Sequence, residues 1–378
     1  MTLAQLAELE QAGLTGRGGA AFSTATKITA AHEHRADLIV NACDGELGAA
    51  KDGWVVAHHL DELVAAAAVV APGRRRQIRY AAHRGSATAH RLAAAGQPLL
   101  EVPPRYVSSE ETSLISLAHG GLARPMTKRA PFVRGGRDSA GRRIHPTVVL
   151  NAETLWRVSQ VLEHGPEWFR SRGTAAEPGP RLVSLNGPGV RGLVVETEAG
   201  VPMSTFLDRL GGAHGGDGPV PASAPLLVGG LGGAFLTAGQ ARQLRWTSAD
   251  LAQVGAAVGP GVIELFDADE CPAQLVDRLL AWAAGESAGQ CGPCMFGLPA
   301  LAADWHAMTV GADPGARARI ESRIGLLPGR GACRFPDGVA GLIRSALRVF
   351  GPHLAAHATV RGSSACPVTD RKAHHVRS

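Results

Sequence analysis

The chain has 378 residues, 45% apolar and 19% charged, with 48 Gly, 24 Pro and a formal net charge of +5. That balance excludes a disordered chain, and the absence of any run of 18 apolar residues excludes an obvious membrane-spanning helix. The length exceeds one hydrophobic core and predicts two or three domains, filled mainly by Ala, Val and Leu because only 4% of residues are aromatic.

An isoelectric point near 9.1 favours an anionic ligand or partner. Basic runs such as Arg74-Arg75-Arg76 do not alternate with aromatics, so nucleic acid is not an expected partner. Residues 1–13 read as a short amphipathic helix with Leu3, Leu6 and Leu9 at helical spacing, not as a secretory signal. A cytoplasmic protein is expected, peripheral to the membrane only through partner subunits. In that reducing compartment the six cysteines (Cys43, Cys271, Cys291, Cys294, Cys333 and Cys366) point to metal or redox use rather than disulfides.

In chain order, a Gly-rich turn at Gly16 to Gly19 leads into a helix over Phe22 to Ala31. Leu38-Ile39-Val40 is a short buried strand, followed by a polar loop, Asn41 to Lys51, and a long helix from Trp54 to Val70. Gln77 to Tyr80 reads as a strand, Ala87 to Ala95 as a helix and Leu99 to Val102 as a strand. Such alternation implies a parallel sheet with helices on its faces and ligands at the carboxyl ends of its strands. Glu177-Pro178-Gly179-Pro180 is a break. Beyond it, residues 182–185 and 192–196 read as strands about a Gly-Pro turn, 203–210 as a helix and 226–228 as a strand. Helical patterns then dominate at 275–284, 298–306, 316–324 and 339–350. The polar, basic tail from Arg361 is expected to be disordered.

Several segments carry chemistry. In Gly16-Arg17-Gly18-Gly19, bare backbone exposes amides to a phosphate at the start of a helix, with Arg17 and Lys27 adding positive charge; the plain alternative is a flexible turn. Asn41 to Glu46, then Lys51-Asp52, packs polar groups into a loop after a buried strand, where function is common. Glu110-Glu111 suits either a ligand site or a helix N-terminus, where the dipole favours acids; the residues alone favour the cap. Cys291-Gly-Pro-Cys294 matches the dithiol of thioredoxins, but it follows a helical stretch rather than a strand. Zinc held by Cys291, Cys294, Cys333 and His306 is a further reading, at a spacing that fits no common structural finger. A cubane cluster takes four protein ligands, and Ala288 stands three residues before Cys291, where a fourth Cys would complete the run.

Taken together these segments resemble, in order over residues 14 to 355, the family of flavin-bearing, NADH-oxidising F subunits of NADH-quinone oxidoreductase (complex I), with relatives in NAD-reducing hydrogenases and formate dehydrogenases. The family's Gly-Arg-Gly-Gly-Ala-Gly-Phe loop looks like Gly16 to Phe22. Its Asn-Ala-Asp-Glu-x-Glu loop looks like Asn41 to Glu46, and its Gly-Glu-Glu-Thr segment like Ser109 to Thr112. Its Pro-Pro-Phe looks like Ala130-Pro131-Phe132. Its Pro-Thr-x-x-x-Asn-x-Glu-Thr-Leu is matched by Pro146, Thr147, Asn151, Glu153, Thr154 and Leu155. Its cysteine motif is matched by Glu286 to Cys294 except at Ala288. Other departures are Cys43-Asp44 for Asp-Glu, Ser109 for Gly, Arg129 for Lys and Leu150 for Asn.

The resemblance implies an α/β fold: a Rossmann-like FMN/NADH domain over residues 1–178, a β-grasp (soluble-ligand-binding) domain over 179–250 and a helical iron–sulfur bundle over 251–360, before the tail at 361–378. It implies that Gly16, Arg17, Gly18, Gly19 and Lys27 hold the FMN phosphate and ribityl chain. Asn41, Asp44, Glu110, Glu111, Asn151 and Thr154 would surround the flavin and nicotinamide, with Asp44 and Glu111 nearest the reacting rings. Phe22 and Phe132 would stack near the NADH adenine. Cys291, Cys294 and Cys333 would hold a [4Fe–4S] cluster with three Cys ligands, or a [3Fe–4S] cluster. The implied activity moves a hydride from NAD(H) to FMN and then single electrons to the cluster and a ferredoxin-like or other redox subunit, or a quinone. No protein side chain serves as nucleophile or general base, since the cofactors carry the chemistry. The competing readings are a catalytically degenerate paralogue that scaffolds a redox complex, and a dithiol oxidoreductase.

Overall fold

Leu38 and Val40 point into one apolar core and Ile39 into another, the two-residue alternation of a strand buried on both faces. The computed structural model describes residues 1–71, 77–138, 140–213 and 219–359. Arg74-Arg75-Arg76, Cys366 and the tail lie outside the described residues.

The first half runs α1 (Leu3–Ala12), α2 (Thr24–Glu33), β1 (Asp37–Asn41), α3 (Lys51–His58), α4 (Leu60–Val70), β2 (Ile78–His83), α5 (Ala87–Ala94) and β3 (Leu99–Val102). It continues with α6 (Glu111–Ala118), the short hairpin β4 (Gly136–Arg137) and β5 (Arg143–Ile144), β6 (Thr147–Asn151) and α7 (Ala152–Arg170). The main sheet has the order β3-β2-β1-β6, with every pair parallel. Helices α1, α2, α4 and α7 pack on one face, and α6 covers the other.

The single helix expected over 54–70 is two helices, bent by 100°. His59 is the break, at φ −137° and ψ 34°. Its ring stacks on Trp156 at 4.2 Å and its Nδ1 meets Glu62 Oε1 at 2.9 Å, so packing against α7 overrides the local helical pattern. No single helix among the described residues is long and apolar enough to cross a membrane. Helix α7, which the sequence pattern did not reveal, starts directly from β6 and kinks at Gly165, before Pro166.

The second half opens with the hairpin β7 (Pro180–Gly187) and β8 (Val190–Glu198), then α8 (Ser204–Ala213), β9 (Pro225–Val228) and β10 (Ala234–Thr237). Two short helices, α9 (Ala238–Ala241) and α10 (Ser248–Gln253), precede β11 (Val262–Leu265). These strands form a mixed sheet, β10-β9-β11-β7-β8, in which only β7 and β11 are parallel. The sheet takes β11 from residues that the resemblance assigns to the helical bundle at 251–360, because Val262–Leu265 pair with β7 and β9. Helices α11 (Pro272–Glu286), α12 (Leu298–Thr309), α13 (Ala316–Ile324), α14 (Phe335–Val349) and α15 (Gly351–Thr359) follow and share one core, which reaches Leu227 and Phe235 of the mixed sheet.

Candidate cofactor cleft and thiol cluster

The chain runs from β1 outward through β2 and β3, then returns to place β6 on the other side of β1. Ligands of parallel sheets bind at the carboxyl ends of the strands, where the strand order reverses. Asn41 and Asn151, the last residues of β1 and β6, meet there as register partners. They line a cleft of about 620 Å³ with Gly18, Gly19, Asp44, Ser109 and Glu110. Gly229, Gly259 and Cys333 close its far side. The volume lies in the range of small-molecule and cofactor sites.

The Gly-rich loop is pinned at its ends: Gly16 donates to Phe22 O at 2.9 Å and Arg17 N to Thr154 Oγ1 at 2.8 Å. Between them, none of the described residues accepts a hydrogen bond from the Gly18 or Gly19 amide. A Cβ on Gly18 would overlap Asn151 Oδ1. Two bare amides at the cleft, one of them at Gly18 where a Cβ has no room, fit the phosphate end of FMN.

The remaining expected residues divide between the cleft and its scaffold. Arg17 does not reach the cleft: its guanidinium is buried and donates to Pro178 O and Pro180 O, both at 3.2 Å. Burial, then the neighbouring Arg181, lowers its pKa to about 9. The loop backbone, not this cation, faces the ligand space. Asn41 holds the cleft rim by donating to Ser109 O and accepting from Cys43 N, both at 3.1 Å. Thr154 is buried and serves as the acceptor for Arg17 N.

Asp44 lines the cleft, but its carboxylate accepts from Asp52 N at 2.9 Å and Gly53 N at 2.6 Å. It caps α3, which has no side-chain cap of its own. Burial, then Asp52, raises its pKa to about 7. Glu110 is the N-cap of α6, accepting from Thr112 N at 2.8 Å and Ser113 N at 3.2 Å, and burial raises its pKa. The capping reading of this acid therefore describes its bonds.

Glu111 turns outward between two cations, Lys27 at 3.1 Å and Lys128 at 2.6 Å. Burial alone would raise its pKa, but the two lysines hold it below the ordinary range. Lys128 makes this pair, not the neighbouring Arg129. Lys27 is committed to Glu111 and does not line the cleft.

The two phenylalanines do not form one stacking site. Phe22 is 56% exposed, whereas Phe132 is 7% exposed in the core with Ile39, Cys43, Ile115 and Val149. Packing under α6 claims that ring. Cys43 shares this core, and burial, then Asp44, pushes its thiol well up.

The Lys51-Asp52 pair is a buried scaffold, although its place in a polar loop after a strand reads as functional. Lys51 Nζ lies 2.8 Å from Asp52 and 3.1 Å from Glu153. Asp52 accepts from Glu153 N at 2.8 Å and so caps α7, while Glu153 accepts from Leu182 N of β7 at 2.6 Å. Burial alone would lower the Lys51 pKa, but Asp52 and Glu153 carry it above its ordinary value. One relay thus fixes α3, α7 and the second sheet at the cleft wall, which Lys51 and Asp52 line. Glu46, which lies within the loop motif but carries no expected role there, does the same at the front. It accepts from Tyr106 OH at 2.6 Å and Leu231 N at 2.7 Å.

The thiols come together beyond the far wall. Segment 285–290 is tied to the cleft side of the first sheet: Tyr106 N donates to Glu286 at 2.8 Å, and Gln290 bonds Pro125 O. The sulfurs of Cys291 and Cys333 lie close enough to Cys294 to oppose its ionisation. Burial, then Cys291, raises Cys294 to about 12. Burial raises Cys333 to about 11, with the Phe335 backbone opposing the rise. Cys291 and Glu110 add to that rise. Three sulfurs gathered within electrostatic reach of one another fit the ligand set of an iron–sulfur cluster. Ala288, like Cys291 and Cys333, packs against the core of the C-terminal helices. His306 does not join them; its Nδ1 pairs with Asp277 at 2.9 Å. The Cys-Gly-Pro-Cys turn follows α11 rather than a strand, unlike a thioredoxin dithiol.

Residues 9–160 match the model of the Nuo51 FMN-binding domain, and residues 274–357 match that of the NADH-ubiquinone oxidoreductase-F iron–sulfur binding region. The NADH-quinone oxidoreductase F subunit numbered 2 of Rhizobium meliloti (strain 1021) is 28% identical over 92% of this chain and 87% of its own. The corresponding F subunit in Mycobacterium bovis is 27% identical over 96% and 86%. A crystal structure of an NAD+-reducing [NiFe]-hydrogenase in the H2-reduced state matches with a TM-score of 0.78 at 25% identity. That match covers 99% of this chain, which spans about two thirds (66%) of the hydrogenase chain.

An FMN-binding α/β domain and an iron–sulfur helical region in one chain define an electron-transferring flavoprotein. The matches to the complex I relatives run across both domains, over 92% and 96% of this chain. The chain belongs to the family of F subunits of NADH-quinone oxidoreductases, as a divergent member.

Proposed function

We propose that this chain is the NADH-oxidising, flavin-bearing subunit of a larger redox complex. The observation that carries the reading is that Gly18, Asn41, Asn151 and Cys333 border one cleft, so the flavin space adjoins the thiols. When bound, FMN would accept a hydride from NADH and release electrons singly to an iron–sulfur cluster.

The protein's part is binding and orientation. The Gly18 and Gly19 amides receive the phosphate. Asn41 and Asn151 set the depth of the ring at the strand ends. Asp44, whose pKa is raised to about 7, holds α3 beside the cleft through its bonds to Asp52 N and Gly53 N. Cys291, Cys294 and Cys333 would hold the cluster, and water or Ser287 would fill the gap that Ala288 leaves. The mixed sheet is read as a β-grasp domain that closes the cleft through Gly229 and Gly259. The acceptor is a ferredoxin-type subunit or a quinone reached through partners, and any membrane contact is through them.

The altered residues favour a second reading, a scaffold without turnover. The Ser109 side chain occupies the space a Cβ on Gly45 would need, and its hydroxyl donates to Tyr106 O at 3.0 Å. Low-temperature EPR of the anaerobic, FMN-loaded full chain separates the two. Electron transfer predicts that NADH elicits a reduced-cluster signal in wild type and none in Cys333→Ser. An iron-containing wild type that stays silent with NADH, but responds to dithionite, supports the scaffold.

A further inference from the structure

Cys271 is the N-cap residue of α11 and contributes no side-chain hydrogen bond to the cap. Its sulfur instead meets two imidazoles one helical turn apart on α15: His357 Nε2 at 3.0 Å and His353 Nε2 at 3.2 Å. The three donor atoms lie within 4.8 Å of one another, and Cys271 and His357 are buried. His357 Nδ1 contacts Thr309 O, at the end of α12, at 3.1 Å. A carbonyl can only accept, so Nδ1 carries the proton and the Nε2 lone pair points at the sulfur. Second-shell bonds of this kind fix metal-ligating histidines.

We propose that Cys271, His353 and His357 bind one zinc ion, at a site that shares no ligand with Cys291, Cys294 and Cys333. Thiolate and imidazole donors suit zinc, with Zn–S near 2.3 Å and Zn–N near 2.0 Å. A tetrahedral ion with those bonds needs S–N separations of about 3.6 Å. The observed 3.0 and 3.2 Å require each imidazole to move outward by about half an ångström, a shift within side-chain reach. Cys271 and His353 border a cavity of about 920 Å³ that Asp267, Asp269 and Glu270 also line. The fourth position opens on that acidic cavity and takes water. The ion joins the start of α11 to α15, with α12 behind His357.

The test uses the full chain with its metals removed, then titrated with Co²⁺, which reports thiolate ligation in the near ultraviolet and tetrahedral geometry in the visible. The proposal predicts a charge-transfer band that persists in Cys294→Ser, vanishes in Cys271→Ser and needs at least tenfold more Co²⁺ in His353→Ala. Zinc should displace cobalt and raise the melting temperature of wild type but not of His353→Ala. If Cys271→Ser does not fold, His353→Ala alone decides. Absence of the band in wild type, its loss in Cys294→Ser, or its unchanged persistence in His353→Ala overturns the proposal.

Discussion

Asn41 and Asn151 are register partners at the carboxyl ends of β1 and β6, on either side of the point where the strand order reverses. Both side chains face the cleft that Gly18 and Gly19 border. A small residue is required at Gly18 because a Cβ there overlaps Asn151 Oδ1. Gly18→Ala should therefore weaken FMN binding at least tenfold, read as quenching of flavin fluorescence, while the far-ultraviolet circular dichroism stays unchanged. Equal affinity in the two proteins would remove the loop from the site.

Lys51, Asp52 and Glu153 form a buried ionic relay, so removing one member leaves charge unpaired. Glu153→Ala should cost about 3–5 kcal/mol in urea unfolding of the flavin-free chain. Glu153→Gln, which keeps an acceptor for Leu182 N, should cost less. Similar losses for both variants would show that charge pairing with Lys51 dominates and the bond to Leu182 adds nothing.

Asp44 gives stability a pH slope of defined sign. Its pKa rises from 3.8 to about 7 on folding, through burial and then Asp52, so between those values the folded chain binds more protons than the unfolded one. The stability this group contributes is present below pH 3.8 and is lost as pH climbs toward 7. The melting temperature of the flavin-free wild type, minus that of Asp44→Asn, should fall across that window. A difference that stays flat or rises would place the titration elsewhere.

Ala288 leaves the thiol set one short. Ala288→Cys should slow loss of cluster absorbance to a chelator or to oxygen, with iron and labile sulfide measured alongside. An unchanged rate would mean that the introduced sulfur does not reach the cluster.

Much of this was legible in the sequence. The β/α alternation gave the parallel sheet, and the ordered motifs gave the family, because glycine spacing and paired cysteines reflect backbone approach and metal chemistry directly. Side-chain direction was not legible. Arg17 reads as a phosphate ligand but clamps Pro178 and Pro180, and Phe132 reads as a stacking ring but fills the core under α6. The resemblance places Asp44 and Glu110 beside the flavin, and both line the cleft, but their oxygens also cap α3 and α6. The Glu110 cap was readable locally, whereas the caps that Asp44 and Asp52 give α3 and α7 were not. Caps supplied from distant loops leave no local pattern. His59 ends a helix through its packing on Trp156, a long-range contact that periodicity cannot register. The same holds for Cys271, whose partners His353 and His357 lie on the last described helix.

The account turns on whether the cleft at Asn41 and Asn151 presents a flavin to NADH. Its most direct test is anaerobic addition of NADH to the FMN-loaded full chain, followed at the visible flavin band. The account predicts stoichiometric bleaching of that band. A chain that retains no FMN when it is supplied in excess, or that holds FMN unbleached by NADH, would contradict it.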